Sequence, residues 1–401
     1  MKKFILLCTF CWGMLVPGAR ACTSFLAGRN ATIDGSTFIT YAADSHTLYG
    51  ALKFIPAARH PKNSTMEIRE WDTNKLLGHI PQVEYTYKVV GNMNEHQLSI
   101  TESTWGGRPE LVDTTGIIDY GSLMYIALQR AKTAREAITV MTDLVSEYGY
   151  YSSGESFSIA DPEEVWIMEM IGKGPQNQGA VWVAVRIPDD CIAAHANQSR
   201  IHKFPLDDKE NCLYSPDVIS FAREQGYFNG LNKDFSFADA YAPADFGALR
   251  GCEARVWSFY NRFNSSMGKY LSYLNGKSKE YLPLYIKPDK KLSVQDMKDA
   301  MRDHFEGTPF DMTQDVGAGP FKCPYRFRPM TFKVDSVEYT NERAVATQQT
   351  AFTLVAQMRS WLPNAIGGVL WFGVDDTNTC VYVPLYACLN EACSILYIFF
   401  K

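Results

Sequence analysis

Past its first twenty residues this 401-residue chain has no apolar stretch that resembles a membrane span, which argues against a helical integral membrane protein. Basic blocks are missing as well. With 39 Lys and Arg against 44 Asp and Glu the net charge is -5, so neither nucleic acid nor an anionic bilayer is an expected partner. There is no Pro/Gly/Ser-rich linker, low-complexity run or internal repeat, and one compact unit is the simpler reading of the length. HExxH, Walker, Rossmann-glycine and EF-hand patterns are all lacking. Gly154-Glu155-Ser156-Phe157-Ser158 misses a serine-hydrolase elbow by its last residue. Beyond residue 21 no CxxC or paired zinc-ligand spacing occurs, and the seven histidines are scattered. No metal or organic cofactor is expected.

What is there begins at the start of the chain. Lys2 and Lys3 precede an apolar segment, Phe4 to Val16, that Pro17 and Gly18 break before Ala19-Arg20-Ala21. This reads as a signal peptide over 1–21 with a small-x-small cleavage site, and hence as bacterial export to the periplasm or the extracellular space. Removing it takes away three positive charges and leaves a net charge of about -8. It would also make Cys22 the first residue, with a thiol and an α-amine one side chain apart: a nucleophile beside a base. The competing reading is a lipoprotein or binding module acylated at Cys22, which Ala19 and Arg20 fit poorly as a lipidation site.

Strands are expected at Thr23 to Leu26, Thr37 to Tyr41, Gln97 to Thr101, Val165 to Ile171, Ala180 to Ile187 and Ile192 to Asn197, then at Thr350 to Trp361, Gly368 to Val374 and Cys380 to Tyr386. Helices are expected over Ser122 to Lys132 and after Thr133, whose Thr-x-x-Glu spacing to Glu136 is a capping box. Two more are expected, from Ser215-Pro216 to Gly226 and from Ser293 to about His304. Strands in adjacent runs with grouped helices indicate an α+β layered architecture, not βαβ alternation. For the cysteines two readings stay open: a Cys212–Cys252 disulfide, or buried free thiols.

Several segments carry a resemblance. Cys22-Thr23 followed by Asp34-Gly35-Ser36-Thr37, Trp182 to Asp190 running into Ala196-Asn197-Gln198, and Arg302 to Met312 are similar to the dipeptidase A family of cysteine peptidases. So are Thr347-Gln348-Gln349-Thr350 and the run from Ser360-Trp361-Leu362-Pro363 to Asp375-Asp376. Those enzymes are N-terminal nucleophile hydrolases related to bile-salt hydrolases and penicillin acylases. The resemblance implies an αββα four-layer sandwich of two antiparallel sheets between helical layers, and dipeptide hydrolysis by Cys22. It further implies that Asp44 orients the cysteine amine, that Asn197 faces the oxyanion, and that Arg255 lies near the nucleophile. From the residues alone, Asp44 reads equally as a cap before Ser45, Asn197 as a turn or sequon residue, and Arg255 as a surface ion-pair residue. His195, two residues before Asn197, reads as a local hydrogen-bonding residue near that site.

Two departures stand out. Where the family commonly shows Arg-Asn-x-Asp, this chain has Tyr41-Ala42-Ala43-Asp44. The peptidase domain is expected over 22–387, and residues 388–401 read as an atypical, truncated or frameshifted tail, which leaves a degenerate enzyme open. The alternative activity is hydrolysis of N-acyl amides of the bile-salt or penicillin V type. A dipeptide or other small amide is the expected partner, without nucleic acid or a stable membrane anchor, and homo-oligomerisation is left open.

Overall fold

The computed structural model describes residues 22–45, 48–326, 331–340 and 342–389. The expected signal peptide over 1–21 and nearly all of the expected tail over 388–401 lie outside them. Two antiparallel sheets dominate. The first contains β1 (Ser24–Ala27) and β2 (Thr37–Asp44), and the second contains β3 (Ser99–Gly106). Helices α1 (Tyr120–Arg130) and α2 (Ala134–Tyr148) follow, then β4 (Gly154–Ala160), β5 (Val165–Gly172) and β6 (Ala180–Arg186) of the second sheet. Next come β7 (Ile192–His195), α3 (Ala254–Phe263), α4 (Val294–Met301), β8 (Thr350–Met358), β9 (Val369–Val374) and β10 (Val383–Tyr386). The first sheet runs β7-β1-β2-β8-β9-β10, with Tyr285–Ile286 beside β7. The second runs β6-β5-β4-β3, edged by Cys212–Tyr214 next to β6 and by three two-residue strands beyond β3.

Strand periodicity sorts side chains into layers. On β2, Ile39, Tyr41 and Ala43 join Ile167 and Val183 of the other sheet in a core between the sheets. Phe38 and Ala42 face the opposite way, into a cluster with Trp257 and Phe259 of α3 and Met297 of α4. On β5, Trp166, Met168 and Met170 pack toward Leu123 and Met124 of α1 and Ile138 and Met141 of α2. The central strands are therefore buried on both faces, and β5 and β6 show it in near-continuous apolar sequence. Each fully buried Ile, Leu or Phe contributes roughly 1.5–3 kcal/mol. The layers are helix, sheet, sheet, helix: the expected α+β sandwich.

Local signals act mostly where expected. Thr133 accepts from the Glu136 amide at the start of α2, and Ser293 with Asp296 forms a complete capping box on α4. The differences have local causes. α4 ends at Met301 instead of near His304, and the buried Asp303 carboxylate is taken by Ser258 and Arg262. The helix expected from Ser215 starts at Val218, because Ser215 still pairs with Trp182 of β6. β8 stops at Met358, where the Arg359 amide turns to donate to Gln97 Oε1 at 2.9 Å. The last strand starts only at Val383, since the turn extends through Cys380, whose amide bonds the Asp376 carbonyl. Cys212 and Cys252 are both free, so the disulfide reading is corrected to that of separate thiols. Among the described residues no helix is long and apolar enough to cross a membrane.

Candidate active site

Cys22 stands two residues before β1, next to Thr23, which exchanges backbone hydrogen bonds of 3.3 and 2.9 Å with Ala42. This bridge directs the Cys22 side chain into the space between the sheets, where the residue is 5% exposed. Its Sγ lies 3.7 Å from Tyr41 Oη on β2 and 3.5 Å from Glu102 Oε1 on β3. The Tyr41 hydroxyl donates to the same carboxylate oxygen. Ser24 helps hold the two sheets in register here, donating to the Glu102 carbonyl at 3.4 Å. Burial pushes the thiol well above its ordinary range, and the Glu102 and Asp44 carboxylates push it the same way. The Asp44 backbone amide and the Tyr41 hydroxyl oppose them. The resting sulfur is a protonated thiol.

Arg255, on α3, is almost completely buried and bridges several elements. Nη1 donates to the Cys22 carbonyl at 2.7 Å and to Thr23 Oγ1 at 2.8 Å. Nη2 donates to the Ala196 carbonyl at 3.1 Å and to Asn197 Oδ1 at 2.9 Å, and Nε to the Gly251 carbonyl at 2.8 Å. This is a planar donor fork used to full extent, not a surface ion pair. Burial, with Arg343 nearby, lowers the guanidinium to about 10, still charged at neutral pH. The buried pair of Arg200 Nε and Glu253 Oε1, 2.9 Å apart, fixes the start of α3 against the segment after β7.

Asn197 follows β7 with φ +58°, a left-handed conformation that asparagine tolerates better than most residues. Nδ2 donates to the Thr104 carbonyl at 2.6 Å and its amide N to Ser103 Oγ at 3.2 Å. With Oδ1 held by Arg255, the orientation of the side-chain amide is set, and Nδ2 keeps a second N–H. Asp44, the last residue of β2, accepts from Thr350 Oγ1 at 2.6 Å and from Arg343. Burial raises its carboxyl, while Arg343 and Thr350 pull it back. Its backbone amide faces the sulfur while its carboxylate is engaged by Arg343 and Thr350, so it is more than a cap before Ser45.

Cys22, Asn197 and Arg255 are thus brought into one hydrogen-bonded group, with Asp44 adjoining. His195 is one step removed: its ring nitrogens lie 2.7 Å from Ser103 Oγ and 2.7 Å from Ser158 Oγ, and burial drives it down to about 3. It is a neutral structural imidazole. Glu102 and Arg343 were not anticipated. A lone acid inside the β-branched and hydroxyl run Ile100 to Thr104 was the available signal for the first; nothing local marks the second.

The layered sandwich buries a cysteine beside a central strand, and comparison with known families supplies the class. Residues 21–397 match peptidase family C69, and the chain belongs to that family. Among curated proteins it is similar to a probable dipeptidase of Salmonella dublin, 27% identical over 96% of this chain and 85% of that protein. It is likewise similar to a probable dipeptidase of Latilactobacillus sakei, 27% identical over 92% of this chain and 75% of the other. Dipeptidase A of Lactobacillus helveticus is 24% identical over 91% and 75%.

Proposed function

We propose that this peptidase is an exported cysteine dipeptidase in which Cys22, freed as the first residue of the mature chain, is the nucleophile. The observation that carries the reading is the Cys22 sulfur facing a buried acid while its own carbonyl is tied through one guanidinium to Asn197. The dipeptidase names of the relatives supply the substrate class.

A thiol held protonated needs a base. After cleavage at Ala21–Cys22 the α-amine, with an ordinary pKa of about 7.7–8.0, accepts the thiol proton as sulfur attacks the scissile carbonyl. The second Nδ2 hydrogen of Asn197 and the Asp44 backbone amide stabilise the oxyanion; such donors are each worth a few kcal/mol. The ammonium of Cys22 then returns its proton to the leaving amine, a thioester remains, and water activated by the same amine hydrolyses it. Asp44 and Arg255 serve as positioning residues, the second by fixing both the Cys22 carbonyl and Asn197.

The test joins mass analysis of the mature protein from its native host with a Cys22→Ser assay on dipeptides. A chain starting at unmodified Cys22, and a fall in kcat of at least ~10³-fold in the variant, are expected. A lipidated or retained leader in an active protein, or full activity in the variant, removes the mechanism.

A further inference from the structure

A cavity of about 290 Å³ carries one cation, Lys53, and its wall reaches the Cys22 site through Phe352, which packs on Tyr41. Its wall is aromatic: Tyr49, Trp71, Tyr125, Phe352 and Phe372 line it together with Lys53. Ring contacts link its wall to the nucleophile. Phe352 packs edge-on against Tyr41 with centroids 5.6 Å apart, and the Tyr41 hydroxyl lies 3.7 Å from Cys22 Sγ. Phe352 stacks in turn on Phe372 at 5.6 Å.

The cation is placed, not loose. Lys53 Nζ sits 4.1 Å from the centroids of both Trp71 and Tyr125, whose rings are stacked 4.9 Å apart. The Gly91 amide donates to the Lys53 carbonyl at 2.7 Å, tying its backbone to the short strands beside β3. The residue as a whole is exposed, yet its ammonium is crowded by the two rings; that packing lowers it to about 8, with Asp119 acting against the shift. It is therefore mostly charged at neutral pH and only partly desolvated. Two ring faces hold the ammonium without neutralising it, so it stays available to an anion entering the cavity. Apolar walls with one fixed charge are the usual composition of a specificity pocket.

We propose that Lys53 is a specificity-determining residue that binds a carboxylate of the substrate within this aromatic pocket. The proposal rests on the reading of Cys22 as nucleophile and adds the chemistry by which a free dipeptide is told from other amides. The carboxylate is either the terminal carboxylate of the leaving residue or an acidic side chain, and the substrates separate the two.

The experiment measures kcat/KM on Ala-Ala, Ala-Ala amide, Ala-Glu amide and Ala-Gln amide for wild type, Lys53→Met and Lys53→Arg. A terminal carboxylate gives a wild-type preference for Ala-Ala over its amide that falls tenfold or more in Lys53→Met, through KM, and is largely kept in Lys53→Arg. A side-chain carboxylate gives the same loss in the ratio of Ala-Glu amide to Ala-Gln amide. Ratios changed less than twofold in Lys53→Met overturn the proposal. So does an equal fall on all four substrates in both variants, which marks a structural cation. Cys22→Ser is assayed alongside: activity surviving there defeats the nucleophile reading whatever Lys53 does.

Discussion

At the scale of single residues, the unusual feature is a nucleophile candidate set beside a negative charge. Glu102 stands second only to burial in holding the Cys22 thiol protonated. Replacing it with Gln keeps the shape and a hydrogen-bonding oxygen for Tyr41 while removing the charge. In Glu102→Gln the pH midpoint for alkylation of Cys22 by iodoacetamide is expected to move lower, with a several-fold faster reaction at neutral pH. An unchanged midpoint would mean that the carboxylate is not ionised beside the sulfur. Cys22 was legible from the cleavage-like boundary before it, and Asn197 and Arg255 through the resemblance to the dipeptidase A family. Glu102 was not, because its meaning depends on how close it comes to a residue 80 positions away.

At the scale of elements, the register of β3 against its neighbours shapes the site. The β3–β4 ladder slips between Thr104 and Gly106, and at that irregularity the Thr104 carbonyl receives Asn197 Nδ2. Trp105 lies across Gly154 of β4 so closely that any side chain at 154 would collide with its indole. Gly154→Ala is expected to cost about 1–3 kcal/mol in denaturant unfolding, as overpacking does. By displacing the Thr104 anchor it should also lower kcat more than it raises KM. Helix starts were easier to read than strand ends. Capping uses residues three apart, as at Thr133 and Ser293, whereas β8 ends where the distant Gln97 captures the Arg359 amide.

At the scale of the whole molecule, His195 joins the layers. It stands on β7 of the first sheet and bonds Ser103 and Ser158 on β3 and β4 of the second. Its ordinary value is 6.5 and burial, aided by the Arg200 charge, lowers it to about 3. The folded state thus binds this proton less readily than the unfolded chain. The contribution of His195 to stability is complete above pH 6.5 and is lost as pH falls toward 3, at about 1.4 kcal/mol per unit. Buried carboxyls that are raised, Asp44 and Glu169 among them, act oppositely over part of this range. The readout is therefore the difference between proteins: His195→Gln, though less stable overall, is expected to show a shallower loss between pH 6 and 4 than wild type. Equal slopes would mean that the imidazole is not held neutral.

The sequence by itself determined an α+β layering, the capped helix starts at Thr133 and Ser293, and the cysteine on which the chemistry is argued to turn. Those depend on adjacent runs of β-rich segments with grouped helices, on capping pairs and on a cleavage-like boundary, all readable along the chain. Only the tertiary structure decided what surrounds the sulfur: Glu102 across the sheet interface, Arg343 on Asp44, free thiols at Cys212 and Cys252, and Lys53 in its aromatic pocket. Charge interactions and hydrogen bonds act through space over a few ångströms. Which charges come that close is set by strand register and sheet packing, which no local stretch of sequence encodes.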